Sequence, residues 1–217
     1  DATMQALAQN GNGQAAYIDT LHEAQKVLVD QLSGALFPIA NDVKIQVEFN
    51  PATVAEYRLI GYETRALGRE DFNNDRVDAG EIGAGHSVTA IYEVTHVGSP
   101  AVMNDALRYQ PQTPTQNDAN ELGFLRLRYK QPGAIRSQLS EVAISPEQTA
   151  LSDDTNFSVA IAGFGQLLRR TGGGSDYLGD WSWGDAIALA TDARGQDIYG
   201  YRAEAIALMR LAQSLSE

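Results

Sequence analysis

The sequence contains no cysteine. Disulfide bonds, thiolate nucleophiles and metal or iron–sulfur centres held by cysteine are therefore excluded. The same absence leaves the cellular compartment undecided, because cysteine usage is what reports on an oxidising environment. Stability has to come from packing and hydrogen bonds, and 217 residues are enough for one large domain or two smaller ones.

The chain also lacks long apolar runs and an excess of positive charge. No uninterrupted apolar stretch approaches the ~20 residues that a membrane-spanning helix needs, and no signal-like segment opens the chain. Acidic residues number 28 and basic residues 16, so the formal net charge is -12. A surface of that sign repels phosphate backbones and anionic lipid headgroups. We therefore expect no nucleic-acid partner and no membrane-spanning segment.

The first forty residues predict two helices with a strand between them. Apolar residues at helical spacing predict a first helix over 4–10, and the short apolar stretch 15–18 predicts a strand. Thr20 followed by Glu23 is a capping-box pattern, in which each side chain satisfies an amide of the first helical turn. This pattern predicts a second helix that ends at about Gly34.

The middle of the chain changes to a period of two. The apolar residues Val43, Ile45, Val47 and Phe49 alternate with the polar residues Lys44, Gln46 and Glu48, which predicts a half-buried strand. Similar runs predict strands at 57–62, 87–95, 122–129 and 138–144. Five strands without intervening helices predict antiparallel sheet packed as a β-sandwich. The polar stretch 111–120, which contains two prolines, is expected to be a loop between strands.

The last third returns to helical spacing and predicts three helices. The first has its apolar face over 157–168, begins at Asp154 or Thr155, and ends with Arg169 and Arg170 before the glycines at 172–174. Ser182 and Asp185 predict the capped start of the second. The third is expected to carry one apolar face made of Tyr201, Ala205, Leu208, Ala212 and Leu215. Because such faces need a partner surface, we expect these helices to pack on the sandwich.

One short stretch has the beginning of a calcium loop. Asp71, Asn73 and Asp75 occupy the first, third and fifth positions, where calcium loops place oxygen ligands. The sixth position requires glycine and is Arg76, and the twelfth requires a bidentate Glu and is Ile82. The three oxygen-bearing residues are the candidate metal site, but an Asx-rich turn that bonds its own backbone is the favoured interpretation.

Catalytic motifs are not recognisable in the sequence. There is no Gly-x-Ser-x-Gly elbow to expose a serine nucleophile, and the other glycine-rich segments lack the residues of a nucleotide-binding loop. We therefore assign no catalytic and no cofactor-binding residue. Paired carboxylates in a cleft leave no sequence signature, so a hydrolase that uses acidic residues such as Asp71, Asp75 or Glu81 stays an alternative.

Several segments are similar to those of one bacterial family. They are YIDT at 17–20, VKIQVEFNP at 43–51, YRLIGY at 57–62, DFNND at 71–75, DAGEIGAGH at 78–86, GDW at 179–181 and GYRAE at 200–204. Together they resemble the C-terminal part of bacterial von Willebrand factor type A (VWA) proteins of the YfbK-like kind. The resemblance covers nearly the whole chain.

The resemblance implies that residues 1–40 are the closing strand and helix of a VWA domain, followed by the family's own C-terminal domain. VWA domains hold a divalent metal with an Asp-x-Ser-x-Ser motif that lies before residue 1 in the family pattern. We therefore expect no cofactor in this chain itself. The near match at Asp180 falls in the wrong part of that pattern. Family members resemble exported, often lipid-anchored proteins, which implies a periplasmic or cell-surface location.

These observations predict an α+β protein with three parts. Residues 1–40 are the VWA remnant, residues 41–150 an antiparallel β-sandwich, and residues 151–217 a helical subdomain packed on the sandwich. The remnant is expected to pack differently from a complete VWA domain or to pair with another chain, because its strand lacks the neighbours of a parallel sheet. The expected function is a non-catalytic scaffolding domain that binds a protein partner. The alternatives are a surface hydrolase and a calcium-stabilised extracellular module.

Overall fold

The computed structural model describes residues 2–10, 15–30, 37–61, 67–77, 79–105, 121–147, 150–171 and 178–216. The helices are α1 (Ala2–Asn10), α2 (Leu21–Gln25), α3 (Asp153–Thr171), α4 (Trp183–Asp192) and α5 (Tyr201–Ser216). The strands are β1 (Pro38–Phe49), β2 (Val54–Ile60), β3 (Gly80–Gly83), β4 (Ile91–His96), β5 (Gly123–Lys130) and β6 (Gln138–Ile144). A π-helical turn, Lys26–Asp30, continues α2, and a 3-10 helix covers Arg69–Asn73.

The chain divides into two compact units. The first unit comprises Asp1–Lys44, Asp75–Ser87 and Arg128–Gln138. The second unit comprises Ile45–Asn74, Val88–Leu127 and Leu139–Glu217. The predicted division into 1–40, 41–150 and 151–217 stays a prediction.

The strands form two sheets. One has four strands in the order β3-β1-β5-β6, and the other pairs β2 with β4. The β1–β3 and β2–β4 pairs are antiparallel. The protein is therefore a mixed α/β structure with antiparallel sheets and C-terminal helices, which confirms the coarse fold class. The predicted sandwich packing stays a prediction.

The N-terminal segment departs from the predicted helix-strand-helix order. α1 confirms the first helix, but residues 15–19 have no regular secondary structure, so the strand predicted at 15–18 is not formed. An apolar stretch adopts strand geometry only where a neighbouring strand completes its hydrogen bonds. The Glu23 amide donates to Thr20 Oγ1 at 3.1 Å, as the capping pattern predicts. The predicted end of this helix at Gly34 lies outside the described residues.

The five predicted strands are all present, with shifted ends. They correspond to β1, β2, β4, β5 and β6, and the range 138–144 is matched at both ends. The sixth strand, β3, was not predicted, because four residues with glycine at each end are too few to show a period of two. The loop predicted at 111–120 lies outside the described residues.

The predicted alternation in β1 is wrong at Lys44 and Ile45. Lys44 is only 3% exposed, whereas Ile45 is exposed. The register with β3 is irregular between Ala40 and Val43, and Asp42 has a left-handed φ of 52°. Such an irregularity inserts an extra residue and changes which face the following side chains occupy. Sequence alternation alone could not reveal it.

The core of the second unit lies among its three C-terminal helices. α4 packs against both α3 and α5. The buried residues at this contact are Ala160, Ala190, Ile206 and Met209, with Phe157, Phe164, Ile187 and Leu189 packed against them. Alanines at the contact let the helix axes approach closely, and the longer side chains fill the remaining space. All three predicted helices are therefore confirmed.

The apolar face predicted for α5 is partly wrong. Ile206 and Met209 are the buried residues of this helix, whereas Leu208 and Leu215 of the predicted face are exposed. Positions three apart, such as 206 and 209, lie on one side of a helix. The stretch is apolar on more than one side, so its spacing could not identify which side meets α4.

Arg202 of α5 binds the end of α4 and the start of α3. Its Nη1 donates to the carbonyl oxygens of Ala193 at 3.0 Å and Arg194 at 3.3 Å, just after α4. Its Nη2 pairs with the Asp154 carboxylate in the first turn of α3, and its guanidinium lies 5.0 Å from the centre of the Phe157 ring. A cation at the carbonyl end of a helix and an anion at the amide end both complement the helix dipoles.

A second arginine joins α3 to the two-stranded sheet. Arg58 on β2 donates from Nη1 to Gln166 Oε1 on α3 at 2.9 Å. The same guanidinium donates from Nε to Glu93 Oε2 on β4 at 3.1 Å. Because Gln166 is nearly buried, its amide oxygen needs such a donor. The helical bundle and the β2–β4 sheet are therefore connected within the second unit.

The start of α4 positions Trp181 against α3. The capping box predicted at this site is complete, since the Asp185 amide donates to Ser182 Oγ at 3.3 Å and the Ser182 amide donates to Asp185 Oδ2 at 2.9 Å. Trp181 precedes the cap and lies directly over Gly163, where an added Cβ would come within 2.7 Å of the indole Cε2. Only glycine leaves room for the ring at this position.

This contact predicts opposite effects for two glycines of α3. Gly163→Ala should lower the free energy of unfolding by about 1–3 kcal/mol, because the methyl group displaces the indole of Trp181. Gly165→Ala should raise it by up to about 1 kcal/mol, because an added Cβ meets nothing within 4 Å and alanine favours the helix. Urea unfolding followed by tryptophan fluorescence measures both. Equal effects of the two substitutions would contradict the assigned packing.

Candidate functional site

One candidate site is the group of polar side chains around Asp75 in the first unit. Asp75 lies in the turn that follows the 3-10 helix, and Ser137 lies immediately before β6. Ser137 Oγ donates to Asp75 Oδ1 at 2.6 Å, and the Ser137 amide donates to Asp75 Oδ2 at 3.4 Å. The carboxylate thus receives a hydroxyl and an amide from the same residue.

Two basic residues of β5 complete this group. Arg128 Nη1 donates to Ser137 Oγ at 2.9 Å, and Lys130 Nζ donates to the backbone oxygen of Asp75 at 2.9 Å. Lys130 Nζ also pairs with Asp42 Oδ2 at 2.6 Å, and both side chains are largely buried. We call Asp42, Asp75, Arg128, Lys130 and Ser137 the Asp75 cluster. Its hydrogen bonds and ion pair connect the turn at Asp75 to β5 and to the residue before β6, and connect β5 to β1.

The charges of the Asp75 cluster favour an ionised carboxylate. The hydrogen bond from the Ser137 hydroxyl is the main cause that holds the pKa of Asp75 below its ordinary value. Burial opposes this effect, while the Ser137 amide and the charges of Lys130 and Arg128 reinforce it.

These contacts limit what the Asp75 cluster can do chemically. A general base works best when its pKa lies near the working pH, so a carboxylate with a lowered pKa is a weak base for activating Ser137. The hydrogen bond from Arg128 also occupies a lone pair of the hydroxyl oxygen that would attack a substrate. The arrangement is that of a structural ion-pair network.

The residues predicted as a calcium site have different surroundings. Asp71 and Asn73 lie in the 3-10 helix, where the Asp71 amide donates to Gly68 O at 3.0 Å and the Asn74 amide donates to Asp71 O at 3.1 Å. Only Asp75 of the three belongs to the Asp75 cluster. Within the described residues, no three His, Cys, Asp or Glu side chains come together as a metal-holding group. Calcium binding here stays a prediction.

Sequence reasoning missed four members of the Asp75 cluster. Arg128 and Lys130 alternate with apolar residues in β5, a pattern that indicates a strand and no site. Asp42 and Ser137 belong to no motif. The available signal was weak, because pairing between residues 55 or 62 positions apart depends on strand order. Glu81, the third acid of the hydrolase alternative, is exposed on β3.

An aromatic group lies beside the two-stranded sheet of the second unit. The Phe49 ring centre is 4.6 Å from that of Tyr57 and 5.2 Å from that of Tyr92. Burial is the main cause that raises the pKa of the Tyr92 phenol, with Tyr57 contributing. Tyr57 and its neighbour Leu59 are exposed. Ring pairs at these distances stabilise one another and present a firm apolar surface.

The N-terminal segment exposes its apolar side chains. Within residues 2–10 and 15–30, the large apolar residues that are exposed are Met4, Leu7, Tyr17, Ile18, Leu21, Leu28 and Val29. Leu21, at 86%, has nearly the exposure of an extended chain. Exposed apolar side chains of this size are candidates for an interaction surface.

Comparison with known proteins identifies the family. A family model described as "Uncharacterized protein YfbK, C-terminal" matches residues 34–215, which is most of the chain. The chain belongs to the YfbK C-terminal family. It is 46% identical over 219 residues to a relative in Escherichia coli (strain K12), "Uncharacterized protein YfbK". The alignment takes in 100% of this chain and 37% of the relative, so the chain spans little more than a third of that protein's length.

Two further findings concern this YfbK-family chain. No solved structure matches it. Among the described residues, no helix is both long and apolar enough to cross a bilayer.

The Asp75 cluster predicts a pH dependence. Because the folded state lowers the pKa of Asp75, the ionised carboxylate stabilises the fold above the ordinary pKa of about 3.9, and this contribution is lost as the pH falls through the lower folded-state value. Asp75→Asn should therefore lower the melting temperature at pH 7, and the difference from the unsubstituted chain should shrink on acidification. The matched control is Asp180→Asn, which changes an exposed carboxylate. A difference that grows toward low pH would contradict the assignment.

The interpretation of residues 71–75 as a turn predicts no response to calcium. A ligand that binds only the folded state raises its melting temperature. Excess calcium should therefore leave the melting temperature unchanged, with magnesium as the control for ionic strength. A rise specific to calcium, abolished by Asp71→Asn, would instead establish the calcium site.

Proposed function

We propose that this chain is a non-catalytic interaction module of an exported bacterial VWA protein. In this proposal residues 1–40 are the closing strand and helix of the VWA domain, and the rest is the family's C-terminal domain. The observation that carries the proposal is the exposed apolar set of residues 2–30, illustrated by Tyr17 and Leu21. The periplasmic or cell-surface location follows the family resemblance.

Hydrophobic energetics support an interaction role for this segment. Burying one large apolar side chain contributes about 1.5–3 kcal/mol, so a set of seven represents a large unused contribution. The E. coli relative is much longer than this chain, and its additional residues offer a surface to cover the set. In this proposal the apolar stretch 15–18, which has no regular secondary structure here, gains the hydrogen bonds of a strand in the same contact.

The Asp75 cluster supports the non-catalytic part of the proposal. Its carboxylate is held ionised, its hydroxyl accepts from Arg128, and its lysine is paired with Asp42. The other two acids of the hydrolase alternative lie elsewhere, since Asp71 is in the 3-10 helix and Glu81 is exposed on β3. None of these contacts favours the hydrolase.

One substitution tests the proposal by comparing two chain lengths. Leu21→Glu should leave the melting temperature of this chain unchanged, because the side chain is 86% exposed. In a full-length YfbK-family protein that carries this chain, it should lower the melting temperature, because the charge enters a buried contact. The matched control is Gln25→Glu, which adds the same charge at an exposed position one turn later in α2.

Two outcomes would contradict the proposal. If Leu21→Glu and Gln25→Glu have equal effects in the full-length protein, the apolar set is not covered there. If Leu21→Glu also destabilises this chain alone, Leu21 is not exposed.

A further inference from the structure

The edge strand β6 exposes almost its whole length. It is the last strand in the order β3-β1-β5-β6, so among the described residues it has a neighbouring strand on one side only. The amide of Leu122, the residue before β5, donates to Ile144 O at 2.8 Å on that paired side. Six of its seven residues are exposed, including Leu139 and Val142. Since successive side chains point to opposite faces, both faces of β6 are open.

The sequence of β6 carries few of the features that protect a sheet edge. Natural edges are commonly blocked by proline, lysine, a bulge or very short length. The opposite edge, β3, has only four residues and an irregular register with β1. β6 has seven residues, no proline and no lysine. No described strand lies beside its outer edge, and the N–H and C=O groups of such an edge are matched in spacing by another extended strand.

We propose that β6 pairs with β6 of a second copy of this chain, antiparallel across a two-fold axis. Closed two-fold pairing is the commonest way in which identical chains associate, and it uses the same edge on both copies. The pair joins two four-stranded sheets into one of eight strands. This inference stands on β6 alone and does not depend on the proposed function.

The residues of β6 fit a self-pairing register. With Val142 opposite its counterpart, Ser140 lies opposite Ile144 and Glu141 lies opposite Ala143, so apolar β-formers meet at the axis and like charges do not face each other. Glu141 is the single charged residue of the strand. Its Oε1 accepts from Arg126 Nε at 3.2 Å, so its charge is compensated within each copy.

The overall negative charge of the chain predicts that pairing through β6 depends on the salt concentration. Each copy carries a formal net charge of -12, so two copies repel one another at long range. Salt screens this repulsion within about 10 Å at 0.1 M, while backbone hydrogen bonds along an edge depend little on it. Pairing through β6 should therefore strengthen as salt is added.

Sedimentation velocity of the full chain tests the proposal. The unsubstituted chain should shift from one to two chain masses as concentration rises, and the shift should occur at lower concentration in high salt. Val142→Lys should abolish it, because two lysines then meet at the axis. The matched control is Val97→Lys, which changes a valine of similar exposure, 53% against 56%, in a turn outside the strands. Cooperative thermal unfolding of both variants, measured at a concentration below that at which the chain pairs, establishes that both are folded.

Three results would overturn the inference. The first is a chain that stays at one chain mass over the whole concentration range. The second is a Val142→Lys variant that pairs as strongly as Val97→Lys. The third is growth beyond two chains, since a closed two-fold contact cannot extend further.

Discussion

The close approach of α3, α4 and α5 is the constraint on which the second unit depends. Ala160 and Ala190 are fully buried at the contact, and Gly163 leaves the space that the Trp181 ring occupies. With side chains as small as these at the contact, Arg202 reaches both the carbonyl oxygens that follow α4 and the Asp154 carboxylate. A larger residue at any of these positions must displace the side chains packed against it.

Periodicity predicted the elements well but not their faces. Helical spacing and strict alternation identified the C-terminal helices and five strands, because both patterns arise from one buried side. The prediction of which side is buried was wrong for part of β1 and for part of α5, and each case has a local cause. A left-handed Asp42 disturbs β1 before Lys44, and α5 is apolar on more than one side, so Leu208 is exposed while Met209 is buried.

The Asp75 cluster shows why the polar site was hard to predict. Asp75 was identified from its own loop, where neighbouring acids suggested calcium. Its actual partner, Ser137, is 62 positions away, and Arg128 reaches it only because of strand order. A sequence motif records ligands that are close along the chain. A network whose members come from different strands forms no motif, because its residues are far apart along the chain and none of them is unusual at its own position.

The Asp75 cluster, the N-terminal segment and the β6 edge differ in the contacts that are already formed within the chain. The carboxylates of the Asp75 cluster are paired internally, since they face hydroxyl, amide and ammonium donors. The N-terminal segment lacks apolar cover, which any complementary apolar surface can supply. The β6 edge has no strand beside it in the described part of the chain, and an extended strand supplies hydrogen-bond partners at the spacing of its backbone groups. The N-terminal segment and the β6 edge therefore suit different partners. In the two proposals, the rest of a longer family protein covers the N-terminal segment, and a second copy of the chain pairs with β6 at the same time.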